Sequence, residues 1–85
     1  MEYIVVAFRS RAQTMKFYQI LISKGMVAEI INTPKEAGVG CGLSVKISTS
    51  QLIFVKQQVK LASLSSFAGI FLVKVISGKQ FVRTI

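Results

Sequence analysis

The only cysteine of the chain, Cys41, lies in the segment TPKEAGVGCGLSVK, Thr33 to Lys46. The same segment holds the only proline, Pro34, and three of the six glycines: Gly38, Gly40 and Gly42. A thiol flanked by residues without side chains is either reachable or packed under a neighbouring element. If packed, it acts as a small hydrophobe, and the glycines serve only a turn or bulge. If reachable, it can act as a nucleophile once it ionises, which nearby cations and amide donors favour. The glycines leave access and free N–H groups that could form an anion-binding nest. Lys35, Lys46 and Arg9 are the candidate charge partners, provided the fold brings them near. A lone thiol with no resolving cysteine suits neither hydrolysis nor disulfide oxidoreduction. It does suit holding a persulfide, a selenosulfide or a mixed disulfide that is passed on by exchange.

Other chemistries lack their residues. There is no histidine, and Glu2, Glu29 and Glu36 are the only acids. That removes the usual general base and the usual metal ligand, and a single cysteine cannot build a zinc site. GVGCG is not a dinucleotide fingerprint, because Leu43 stands where a third glycine is needed and a strand is predicted to follow. No Gly-Lys-Ser/Thr phosphate loop occurs. No cofactor and no metal is expected, and a carrier or binding protein fits better than a stand-alone enzyme.

The elements that must position Cys41 follow from periodicity. YIVVAF, Tyr3 to Phe8, is an apolar, β-branched run suited to a central strand covered on both faces. Ser10 can cap a helix, and Gln13 completes a capping-box pattern. Met15, Tyr18 and Ile22, with Leu21 beside them, recur at helical spacing up to Gly25, a natural stop. Val27 to Asn32 reads as a strand, and LSVKIS, Leu43 to Ser48, alternates as a half-exposed one. Ser48 to Ser50 offer a cap for a helix from about 51 to 64, with Leu52, Val55, Val59 and Ala62 inward. Gly69 to Ile76 is a strand, Ser77-Gly78 a turn, and QFVRTI either a short last strand or a tail. The order βαββαβ predicts a ferredoxin-like α+β fold over residues 1–85. It has a mainly antiparallel four-stranded sheet, two helices on one face and room for a short extra C-terminal strand.

The chain has 85 residues and a net charge of +8. Such a charge favours anionic partners, although the cations are scattered rather than blocked. RNA binding through ferredoxin-like sheets needs stacking aromatics on the central strands. Tyr3, Phe8 and Phe71 are expected in the core instead, so nucleic acid is a poor candidate partner. The apolar runs are too short to span a bilayer, and MEYIVVAFRSR does not read as a signal peptide. A single cysteine excludes an internal disulfide, and a cytoplasmic setting is expected. An apolar sheet face left bare by the helices would favour a homodimer.

The opening strand and its short polar step into a helix, the segment NTPKEAGVGCGLSVK and the later FAGIFLVK carry a resemblance. The chain resembles a family of small bacterial proteins described as selenium/sulfur carrier protein-like, a domain of uncharacterised activity. Pro34 to Ser44 is the most specific stretch. The resemblance implies a compact αβ domain with Cys41 as the candidate functional thiol, and a carrier acting through that thiol is expected to have donor and acceptor enzymes as protein partners. It differs from sulfur carriers with a helix-start Cys-Pro motif, because Gly42 and a strand follow Cys41 here. The alternative is a small-ligand or protein-interaction domain in which the cysteine is structural.

Overall fold

In a computed structural model that describes residues 1–85, the chain forms two helices on a five-stranded antiparallel sheet. In chain order these are β1 (Glu2–Phe8), α1 (Arg11–Ser23), β2 (Glu29–Asn32), β3 (Leu43–Ile47), α2 (Leu52–Ala62), β4 (Phe67–Ile76) and β5 (Lys79–Thr84). Short 3-10 turns at Lys35–Ala37 and Thr49–Gln51 precede β3 and α2 respectively. The sheet order is β2-β3-β1-β4-β5. β1 therefore lies in the middle, and Ile4 through Phe8 are all buried. A strand walled on both faces tolerates no polar alternation, which is why YIVVAF reads as a continuous apolar run.

The two faces of β1 have different covers. Ile4, Val6 and Phe8 pack with Phe17 and Leu21 of α1, Val55 of α2, and Val45, Ile47 and Ile70 of the flanking strands. The Phe8 and Phe17 rings meet at 5.2 Å between centroids. Both helices thus lie on one face, as expected. On the other face, Val5, Ala7, Phe71 and Val73 are buried beneath Ala37 and Val39 of the β2–β3 loop. The turn at Lys35–Ala37 reaches β5, where the Gln80 amide donates to Glu36 Oε1 at 3.2 Å. The chain covers this face with its own loop, and the bare face that favoured a homodimer is absent.

Three details depart from expectation. The buried stripe of α1 is Thr14, Phe17 and Leu21, whereas Met15 and Ile22 are exposed and Tyr18 is half-buried. Both triplets have helical spacing, and only packing against β1 selects between them. The sheet has five strands where four were expected. Ser77 and Gly78 both take positive φ, 52° and 77°. That is the twist of a tight two-residue hairpin, and it folds Lys79–Thr84 back onto β4 as a full strand. Finally, Ser10 caps α1 by accepting the Gln13 amide at 3.2 Å, but Gln13 does not close the box. Ser66 intervenes, its Oγ accepting the Ser10 amide at 3.2 Å and donating to Gln13 Oε1. The Ser66 amide also donates to Gln13 Oε1, at 2.7 Å. The box is widened to take in the α2–β4 turn, which ties the start of α1 to the start of β4.

Candidate functional site around Cys41

The β2–β3 connection is a hairpin loop closed at its neck. The Thr33 amide donates to the Gly42 carbonyl at 2.9 Å, one step beyond the Asn32–Leu43 pair, and the Thr33 and Ser44 hydroxyls meet at 2.6 Å. From Val39, on the loop-covered face, the backbone rounds the C-terminal end of β1 to reach the helix side. Gly40 makes that passage at φ 102°, and a Cβ there would lie 3.6 Å from the Phe8 carbonyl oxygen and 3.7 Å from Ala7 Cβ. Space exists for it, so the backbone angle is what demands glycine. Gly42 has φ 93° with open space around it, and Gly38 ends the 3-10 turn in a left-handed conformation. The three glycines thus let an exposed loop turn sharply and deliver Cys41 to the first turn of α1.

There the thiol is half-buried. Its Sγ lies 3.6 Å from Thr14 Oγ1 and 3.5 Å from the Leu43 carbonyl oxygen, to which the S–H can donate. Burial pushes the Cys41 thiol up, as desolvation of a developing anion must. The Leu43 and Cys41 backbone amides, the Thr14 hydroxyl and the Arg11 guanidinium act the other way and together prevail. The thiol is therefore held below its ordinary range. Thr14 has one hydroxyl proton, and it also stands 3.0 Å from the Ser10 carbonyl. With a neutral thiol that proton belongs to Ser10. With a thiolate it can turn to sulfur, because the Ser10 carbonyl keeps the Thr14 amide at 3.0 Å. The first turn of α1 thus offers an adjustable donor to the anionic form.

The residues singled out in the sequence are dispersed around this centre. Arg9 directly follows β1, is exposed, and anchors its amide on the Ser66 carbonyl at 2.8 Å. Lys35 opens the 3-10 turn, and its carbonyl accepts the Gly38 amide at 3.1 Å. Lys46 lies toward the other end of β3, with Nζ 4.5 Å from the centroid of the Tyr3 ring. The cation whose charge acts on Cys41 is Arg11. Neither Arg11 nor Thr14 was marked by the sequence. The Ser10 cap places both on the first turn of α1, but no local pattern says that a loop some 30 residues later ends against that turn.

Lys46 lines a separate groove of about 460 Å³ between the starts of β1 and β2 and the end of β3, with Tyr3, Glu2 and Glu29 among its walls. It lies at the opposite end of β1 from Cys41. No group of three or more histidine, cysteine, aspartate or glutamate side chains is placed to hold a metal. No helix is long and apolar enough to cross a membrane.

Comparison with curated proteins and with solved structures returns no match. A family model does match, over residues 2–65, and its description is "Putative Se/S carrier protein-like". The matched stretch runs from β1 through α2 and includes the whole Cys41 loop, while FAGIFLVK on β4 lies beyond it. With most of its length matched, this chain belongs to the Se/S carrier protein-like family.

Proposed function

We propose that the protein carries a sulfur or selenium atom on Cys41 and passes it between partner proteins. The supporting observation is the seat of the thiol. It is half-buried on a glycine-shaped loop, with Thr14 Oγ1 at 3.6 Å and Arg11 favouring the thiolate. In loading, the Cys41 thiolate attacks the outer sulfur of a donor persulfide. The donor S–S bond breaks, the donor leaves as a thiolate, and Cys41 holds the S–SH group. In unloading, an acceptor thiolate attacks that outer sulfur and Cys41 leaves as a thiolate. A selenosulfide follows the same path with selenium as the outer atom. No electrons are gained or lost overall, and the proton released by Cys41 can be taken up by the departing donor thiolate. Gly38, Gly40 and Gly42 shape the loop, and the surface cations Lys35 and Arg9 help steer acidic partners toward it. That attraction weakens with salt. Lys46 has the Tyr3 ring as its neighbour, so in this proposal Arg11 takes the place assigned to it beside the thiol. The strand order β2-β3-β1-β4 around a βαββαβ chain supports a ferredoxin-like frame, with β5 as an added edge. A cytoplasmic setting accords with a reduced, unpaired thiol.

The test is intact-mass analysis of native protein after exposure to a low-molecular-weight persulfide, then to an acceptor thiol. Gain of one sulfur on Cys41, lost again to the acceptor and absent in Cys41→Ser, is expected. A folded protein that takes up no sulfur excludes the carrier role. A second function, small-ligand binding with a structural cysteine, is favoured by the groove at Tyr3 and Lys46. Full cellular function of Cys41→Ser would select it.

A further inference from the structure

The β4–β5 hairpin lies outside the family-matched residues and contributes no side chain to the Cys41 site. Its register pairs Leu72 with Arg83, Lys74 with Phe81, and Ile76 with Lys79. Leu72 packs toward the helix-side core, so by strand alternation all six residues lie on that face. The helices do not extend over its outer end, where Ile76 is 56% exposed and Phe81 53% exposed. Every cross-strand pair there joins one apolar side chain to one cation. Phe81 has Lys79 and Arg83 two residues away on either side along β5, and Lys74 directly across. Leu72, Lys74, Phe81 and Arg83 also line a shallow groove of about 260 Å³. The only acid at this patch is Glu2, 3.7 Å from Lys74, a half-exposed pair that binds weakly in water.

We propose that this hairpin face binds single-stranded nucleic acid, with a base stacked on Phe81 and neighbouring phosphates met by Lys79, Arg83 and Lys74. Three features select this occupant. An aromatic ring fenced by cations satisfies the two needs of a single strand, a stacking surface and charge along the backbone. An acidic peptide would use the cations but leave the Phe81 ring wet. A second copy pairing antiparallel along the β5 edge, centred on Phe81, would set Lys79 against Arg83, and like charges opposite one another disfavour that pairing. The aromatics expected to stack bases if the central sheet bound RNA do not serve, since Phe8 and Phe71 are buried. The most exposed ring, Phe81, is on the edge strand.

The experiment is fluorescence anisotropy of a labelled single-stranded oligouridine titrated with the full chain, over a range of salt. With about three phosphates neutralised, log K should fall against log salt with a slope near −2. Phe81→Ala and Phe81→Leu should each weaken binding roughly five- to a hundredfold, while Phe81→Tyr retains it. Lys79→Glu with Arg83→Glu should abolish binding. Lys16→Glu with Lys24→Glu, an identical charge change on α1 and its C-cap, should alter it by less than about twofold. Thermal melting confirms that each variant is folded. Cys41→Ser should bind as well as the native chain, which separates this site from the carrier role. Equal losses from the α1 and β5 charge pairs would reduce the effect to bulk charge and overturn the proposal. So would Phe81→Leu binding like native, or polyglutamate displacing the oligonucleotide at matched charge.

Discussion

Replacing Thr14 by valine isolates the contribution of the first turn of α1 to the thiol. The side chains are nearly isosteric, and Thr14 is fully buried, so valine fills the same space. Two interactions are lost, the 3.0 Å bond to the Ser10 carbonyl and the 3.6 Å contact to Cys41 Sγ. The first costs little, because the Ser10 carbonyl keeps the Thr14 backbone amide. Net stability should change by about 1 kcal/mol or less. The second matters when Cys41 ionises. A hydrogen bond to a charged group contributes ~1.5–3 kcal/mol at good geometry. At 3.6 Å to a soft sulfur about 1 kcal/mol is reasonable, which is roughly a fivefold smaller thiolate fraction below the thiol's midpoint. Iodoacetamide alkylation of native protein, followed across pH, measures this directly. The rate at neutral pH should fall about three- to tenfold in Thr14→Val, with the midpoint moved upward and the limiting rate at high pH little changed. Thr14→Ser keeps the hydroxyl and should behave like the native chain. An unchanged profile in Thr14→Val would refute the idea that α1 supports the thiolate. Labelling only upon unfolding would refute an accessible thiol altogether.

The lowered thiol also links stability to pH. Because Cys41 ionises more readily folded than unfolded, folding releases a proton between the two midpoints. Stability should therefore rise with pH through that window and lose this increment as pH falls through the folded midpoint. The difference between native and Cys41→Ser denaturation curves reads it out. Gly40→Ala should destabilise by about 1–2 kcal/mol, from the positive φ rather than from a clash, and its loss should appear in the urea midpoint with an unchanged slope. Gln13→Ala removes the acceptor of the Ser66 amide and hydroxyl and should cost about 1–3 kcal/mol by thermal melting, with faster amide exchange at Ser10 and Ser66. Light scattering tests the homodimer. Ile53 and Leu61 of α2 are among the most exposed apolar side chains, and their joint replacement by glutamine should convert a dimer formed through α2 to monomer.

Local pattern alone marked most of the elements of this chain. The apolar run of β1, the Ser10 cap, the glycine stop at Gly25 and the Ser77-Gly78 turn each act through nearby backbone sterics or hydrogen bonding, and such effects are written in adjacent residues. The absence of histidine and the solitary cysteine likewise narrowed the chemistry before any fold was known. Tertiary structure decided what those elements do together. It chose Thr14, Phe17 and Leu21 over an equally periodic stripe, since both faces of a helix satisfy the same spacing and only the partner surface breaks the tie. It drew Gln13 away from its own cap to Ser66, 53 residues on. It folded the β2–β3 loop over the second sheet face, which no pattern of alternating side chains encodes. Above all it set Cys41 against Thr14 and within reach of the Arg11 charge. A thiol's acidity depends on the few charges and donors within several ångströms, and those neighbours come from a helix near the start of the chain that only the closed sheet brings to the loop.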